Sequence, residues 1–445
     1  MSKKRAIFIL IYVGILFRLL CWYSYDWSAS LFNDTETYTA LAARISNLNL
    51  TGYSGERTPM YPLLMLLSGM NFQWLVILQS IIGIFSSFFV FDTTSRLTGS
   101  LRCGLGAGLV FTSFVNIIFF EFSILTETLS LFLFTASLWI YILFNFHNGH
   151  FNFKGSILLG LVLATLFLTR PFFLYFSLVI AGTVFLRNVL KKWKYSLAYA
   201  FLIFLPTLCC FIGWSSLNYK NTGAFVVTSY YGINLSQATM PFFEKAPDQY
   251  SVIRDIYVKH RDSILKNGGD AAMGIWQALP EIQEKTGKDL PQISAELAVI
   301  SRDLIKKHPA AYLKLSLRSW VRFWRSSFYR VPENFRNATW YDSIEGFWWF
   351  QRKGVVLGHI FLIMGFCVLF FRILRQKERF FDPLFLIAIS VVLASVAQAL
   401  VTYGNNSRFS VPFFGGVLIF VFVAVFRLSA FISKSRKING MASSS

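Results

Sequence analysis

The sequence predicts an all-α polytopic membrane protein, with about ten transmembrane helices and a helical external loop region. Three observations lead there: 55 % apolar against only 14 % charged residues, about ten apolar runs near span length, and basic residues gathered on alternate connections. Soluble domains carry about a quarter charged residues, so this deficit points to lipid as the solvent. Forty-nine Phe, 19 Tyr and 12 Trp suit a chain that meets both hydrocarbon and headgroups. The net charge of +20 is scattered between apolar runs rather than striped along a soluble surface. That distribution argues against nucleic acid and for anionic lipid headgroups or lipid phosphates as partners.

A span needs about 20 apolar residues. The candidate runs are 6–25, 72–92, 103–121, 126–146, 155–169, 171–187, 196–216, 354–372, 383–402 and 409–427. The first follows Met1-Ser-Lys-Lys-Arg5 and reaches Tyr25 without a small-residue cleavage site, so it reads as a retained span rather than a signal peptide. Arg170-Pro171 separates two short runs, read as two spans divided by a tight outer turn. With Lys3, Lys4 and Arg5 placed inside, the inner connections carry Arg96 and Arg102; Lys154; Arg187, Lys191, Lys192 and Lys194; Arg372, Arg375, Lys377 and Arg379. The tail adds Lys434, Arg436 and Lys437, so both termini are expected in the cytoplasm. The five cysteines have no metal-ligand spacing and read as small buried hydrophobes.

Four regions follow: an N-terminal transmembrane module over 1–216, a large external loop over 217–350, C-terminal helices over 351–430, and a basic tail over 431–445. The external loop holds 13 of the 22 acidic residues, as a soluble-like segment should. It is expected to turn helical near 251, to start another helix at Pro291 and to end that one at His308-Pro309. Ala310–Phe328 then places Leu313, Leu317, Trp320, Val321, Trp324 and Phe328 at helical spacing, with Lys314, Arg318, Arg322 and Arg325 between them. A basic, Trp-rich amphipathic helix of this kind rests on the outer leaflet or caps the bundle.

The outer face collects the ionisable groups. The first outer loop reads Asp34-x-Glu36-x-Tyr38-x-x-x-Ala42 and later Arg57-x-Pro59-x-Tyr61-Pro62; the next outer turn supplies Glu121 and Glu127. Arg170 and Arg408 stand on outer turns where the positive-inside rule disfavours them. Structural explanations exist for each: Asp34 and Glu127 as helix caps, the arginines as snorkelling cations, Tyr38 and Tyr61 as interfacial anchors. Asp26 is a competing carboxylate at the same mouth, whereas Asp92 belongs to the inner end of its span. His308 and His359 are lone histidines without an assigned role.

The Asp34/Tyr38/Ala42 spacing followed by Arg57-x-Pro59-x-Tyr61-Pro62 resembles the first external loop of GT-C glycosyltransferases, in the branch related to protein O-mannosyltransferases and aminoarabinose transferases. Leu125-Thr-Glu127, Leu168-Thr-Arg170-Pro171, Asn218 to Asn234, His308-Pro309 with Phe323-Trp324, and Arg408-Phe-x-x-Pro412 continue the likeness in order. The chain lacks the C-terminal periplasmic domain of the larger relatives, which leaves the acceptor open. The resemblance implies a GT-C fold and inverting transfer of a sugar from a polyprenyl-phosphate donor, of undecaprenyl or dolichyl type, to an acceptor hydroxyl. It implies Asp34 as catalytic base, with Glu127 binding the sugar or orienting the acceptor. It implies Arg57, Arg170 and Arg408 on the lipid phosphate, with Tyr38 and Tyr61 beside them. An Asp of ordinary pKa, about 3.9, is a weak base that partial desolvation would strengthen. The acceptor could be glycan, lipid or protein, the membrane a bacterial inner membrane, and a divalent metal stays open. Rival readings are an O-antigen ligase or polymerase, and a flippase or transporter for lipid-linked sugars, which commonly shows internal repeats absent here.

Overall fold

The computed structural model describes residues 1–375, 381–404 and 406–442, with 406 and 434–442 described by backbone only. Lys377 and Arg379 of the inner-loop expectation, and the side chains of Lys434, Arg436 and Lys437, lie outside the described residues. Helix α1 (Lys3–Ser24) starts where the Ser2 hydroxyl accepts the Arg5 amide. It buries Ala6, Leu10, Gly14, Arg18 and Cys21 along one stripe and exposes Phe8, Tyr12, Ile15, Leu16 and Leu19 on the other side. An apolar face left bare to this extent needs lipid against it. After the short α2 (Asn33–Ser46) and α3 (Met60–Leu67), α4 (Phe72–Thr98) packs against α5 (Leu101–Thr112). Gly104 makes that approach close: a Cβ there would fall 2.6 Å from the Phe91 carbonyl oxygen. The chain bends by 57° into α6 (Val115–Glu121), and α7 (Glu127–Leu143) threads the middle of the bundle, buried on nearly every side.

Among the described residues six stretches are long and apolar enough to cross a membrane, seven if the bent α5–α6 pair is one span, so this is a multi-pass membrane protein. The expected ten is not reached by length and composition alone, because α7 and α8 (Phe153–Thr169) are short and α9 (Leu174–Thr222) counts once. Yet α9 folds back on itself. Its backbone leaves helical geometry at Lys192, and Thr207 Oγ1 lies 3.2 Å from Ser177 Oγ. Thirty residues of straight helix would hold those hydroxyls about 45 Å apart. Arg170 itself is extended, so α8 and the first arm of α9 are separate helices, divided at Arg170-Pro171 as the sequence suggested.

The segment between α9 and Pro309 folds around its own core. Helices α10 (Tyr231–Gln237), α11 (Ser251–Lys266), α12 (Gly274–Thr286) and α13 (Leu290–Lys307) bury Ile233, Phe243, Tyr257, Ile275, Leu297 and Leu304 together. Asp289 caps α13 with Gln292 in a reciprocal box, and Pro291 sits in its first turn. Helix α14 (Pro309–Phe323) ends five residues before the expected Phe328. There the chain departs to cross the end of α1, where the Val331 amide donates to Tyr25 Oη and the Arg336 amide to the Ser24 carbonyl. One face of α14 caps the bundle through Ser319 and Trp320, while Leu313, Leu317 and Val321 stay exposed beside exposed Lys314 and Arg318. Helices α15 (Ala338–Arg375), α16 (Pro383–Val401) and α17 (Phe414–Ala442) complete the bundle. The cysteines depart from expectation: Cys21 is buried, but Cys209 and Cys367 are exposed on apolar helices whose outer faces meet lipid.

Candidate active site

Helix α2 starts without help from Asp34. The Thr35 hydroxyl accepts the Phe32 amide and donates to the Ile124 carbonyl, which fixes the helix start and leaves the Asp34 carboxylate free of capping. Its Oδ1 lies 2.6 Å from Arg57 Nη2 and its Oδ2 lies 2.8 Å from Arg408 Nη1. Glu127, the first residue of α7, makes no cap bond either. Fully buried, it takes Arg408 Nε and Nη2 on its two oxygens, and Arg170 Nη1 at 3.1 Å. The five groups therefore form one alternating row: Arg57, Asp34, Arg408, Glu127, Arg170. Three guanidiniums against two carboxylates leave one positive charge in excess, in a place partly closed to water.

Each arginine is also shaped by aromatic surface. Arg57 donates from Nε to Thr37 Oγ1 at 2.8 Å, and its guanidinium lies over the rings of Tyr38 at 4.6 Å and Tyr230 at 5.0 Å. Tyr53 locks the backbone of Arg57 by donating its hydroxyl to the Arg57 carbonyl at 2.9 Å. Arg170 lies over Phe409 and Arg408 over Tyr329. Burial pushes the phenols of Tyr38 and Tyr230 up, so both stay neutral beside Arg57. Tyr61 is fully buried, packed edge-on under Tyr38 at 5.0 Å, with its hydroxyl on Gln79 Oε1. It supports Tyr38 and does not touch the row of charges.

Burial by itself would raise the Asp34 pKa, but the Arg57 and Arg408 guanidiniums outweigh it and hold the carboxyl well below the usual range. This corrects the expectation that desolvation makes Asp34 a better base. In this arrangement it is a weaker one, because its charge is clamped from both sides. About 30 % of the Asp34 side chain remains exposed, whereas Glu127 shows none. Asp34 is thus the carboxylate of the row that a ligand can reach.

Other carboxylates of the outer-mouth grouping lie elsewhere. Glu121 is buried against Arg18 at 2.6 Å, and Asp26 pairs with Arg336 at the surface. Asp92 sits with Lys3, Arg96 and the Trp139 indole, away from this site. Among the described residues no three His, Cys, Asp or Glu side chains gather as a metal-ligand set. The Arg408 guanidinium fills the space between the two carboxylates, so the row as arranged does not fit a divalent ion bridging them.

With this geometry in hand, the chain can be set beside one solved structure. The chain is similar to the Archaeoglobus fulgidus oligosaccharyltransferase, solved tethered to an acceptor peptide containing the NVT sequon, with a TM-score of 0.46 and 12 % identity. The match covers 94 % of this chain and 49 % of that protein, so the chain spans about half its length. No family model matches the chain, and no curated protein matches it.

Sequence reasoning missed Thr37, Tyr53, Tyr230 and Tyr329. Thr37 lies one helical turn after Asp34 and carries that signal in its spacing. Tyr230 and Tyr329 come from the long segment between α9 and α15, and nothing in their local sequence points to Arg57 or Arg408.

Proposed function

We propose that this protein is a GT-C-type inverting glycosyltransferase, moving a sugar from a polyprenyl-phosphate donor to an acceptor hydroxyl at the outer face of a bacterial inner membrane. In this reading ten spans place both termini in the cytoplasm, and residues 217–350 form the external region above the site. The single observation that carries it is the row Arg57–Asp34–Arg408–Glu127–Arg170, with its surplus cation and one accessible carboxylate. Guanidiniums hold phosphate oxygens in bidentate fashion and stay charged throughout. As the acceptor oxygen bonds to the anomeric carbon, the bond from that carbon to the phosphate oxygen breaks. The phosphate keeps the electron pair, and the acceptor proton passes to Asp34. Arg408 and Arg57 stabilise the charge that grows on the leaving phosphate. Glu127, too buried to reach substrate, holds Arg408 and Arg170 in position.

Cells lacking this protein should accumulate a polyprenyl-phosphate-linked sugar and lose one surface glycan modification, read by mass spectrometry of lipids and envelope glycans. Unchanged profiles in both fractions would sink the transferase reading.

The pH dependence separates free from loaded enzyme. In the free protein Asp34 is ionised to below the usual carboxylate range, so kcat/KM should stay flat as pH falls from 7 to about 5. A bound phosphate draws Arg57 and Arg408 away and adds negative charge beside Asp34, which raises its pKa. The acid limb of kcat should therefore appear at higher pH than that of kcat/KM, in steady-state profiles of purified protein. Coincident limbs would count against Asp34 as the group being released.

A further inference from the structure

A cleft of about 590 Å³ opens between the 240–271 segment and α14, walled by Met240, Arg261, Asp262, Arg318, Arg322 and Tyr403 among others. Its size falls in the range of small-molecule sites, about 300–1,000 Å³. The charges in its wall are unevenly satisfied. Arg261 is neutralised by Asp262 at 2.8 Å and Glu244 at 2.7 Å, and the Asp270 carboxylate accepts the Ala272 amide. Arg318 and Arg322, one turn apart on α14, have no carboxylate within ion-pair distance among the described residues. Arg322 lies over the Tyr403 ring at 4.5 Å instead. Two guanidiniums on one helix face repel each other, whereas every arginine of the catalytic row is ion-paired with at least one carboxylate. A dianion in the cleft would resolve that repulsion.

The cleft is tied mechanically to the row. Tyr403 forms its wall, and Arg408 follows five residues later on the same segment. Thr402 anchors that segment to Gln237 and Ser319, and Ser407 meets Ser327 at 2.6 Å. A ligand in the cleft therefore sits against Tyr403, five positions before Arg408 in the sequence.

Building on the transferase reading above, we propose that this cleft is the acceptor subsite and takes an acceptor bearing a phosphate group, held by Arg318 and Arg322. The phosphate anchors the acceptor while a hydroxyl elsewhere on it reaches Asp34.

The test uses the full protein in phosphatidylcholine nanodiscs, with labelled glucose 1-phosphate as probe and glucose as neutral control. Saturable binding of the phosphate alone is expected. It should weaken tenfold or more in the Arg318→Ala/Arg322→Ala variant and stay within about threefold in Arg318→Lys/Arg322→Lys, which keeps the charge. Arg254→Ala, at a half-buried cation outside the cleft that pairs with Asp248 and Asp255, should bind normally. Displacement by vesicles containing phosphatidylglycerol would assign the phosphate to a lipid headgroup; displacement by soluble sugar phosphates alone would assign it to a saccharide. Equal probe binding by wild type and the double alanine variant overturns the site. In transfer assays with envelope glycolipids, the double alanine variant should raise the acceptor KM tenfold and leave the donor KM unchanged; an unchanged acceptor KM overturns the acceptor role. Failure of the transferase reading looks different: Asp34→Asn would then transfer sugar at the normal rate, whatever the cleft binds.

Discussion

Asp34→Asn is expected to cut sugar transfer by about a hundredfold to ten-thousandfold, the usual worth of a positioned general base, while donor binding tightens. The asymmetry follows from the clamp. The carboxylate occupies Arg57 Nη2 and Arg408 Nη1 in the resting site, so it competes with the donor phosphate for the same donors. Removing its charge leaves both guanidiniums for the phosphate and leaves no acceptor for the proton. The fold should survive, because Thr35 rather than Asp34 fixes the start of α2, and Arg57 keeps Thr37, Tyr38 and Tyr230. A hydrogen bond to a charged group contributes about 1.5–3 kcal/mol, which bounds the stability cost. Turnover with a lipid-linked sugar and donor Kd on the same preparation check this. Normal turnover would remove Asp34 from the mechanism, and weakened donor binding would contradict the competition. Asp26→Asn, whose carboxylate pairs with Arg336 at the surface, is the matched control and should be silent.

The sequence went far towards this site because its signals there were electrostatic and large. Arginine on an outer turn is disfavoured, so Arg170 and Arg408 stood out, and topology put them level with Asp34, Arg57 and Glu127. Their placement in one hydrogen-bonded row was not legible, since it depends on segments 281 residues apart meeting at Glu127. For the same reason Glu121 was grouped with the wrong set. It has the same residue type and outer-turn position as Glu127, but it ends α6 facing inward, where Arg18 of α1 meets it. Arg18 itself is hidden in an apolar run and gives no sign of a partner. The basicity of Asp34 went the wrong way because burial was foreseen and the two flanking cations were not. The hairpin in α9 was visible as basic residues interrupting apolar sequence near Lys192. Its tightness, one non-helical residue, was not.

Arg408 offers the sharper separation of structure from chemistry. Arg408→Ala should lower both stability and turnover, by about 3 kcal/mol and about a hundredfold to a thousandfold. The stability loss arises at Glu127, which is fully buried and would keep only Arg170 at 3.1 Å. A fully buried carboxylate left with one long ion pair is the expensive product, not the missing arginine as such. Glu127→Gln in the same background removes that charge and should restore most of the lost thermal stability. It should not restore turnover, because the donor phosphate still lacks the guanidinium. Arg408→Lys should fall between: one cation remains for Glu127, but a single ammonium cannot span Asp34 and Glu127 as the planar fork does. Melting temperature and kcat measured across Arg408→Ala, Arg408→Lys and Arg408→Ala/Glu127→Gln give the test. Recovery of stability together with turnover in the double variant would make Arg408 purely structural, and leave Arg57 as the cation on the leaving phosphate.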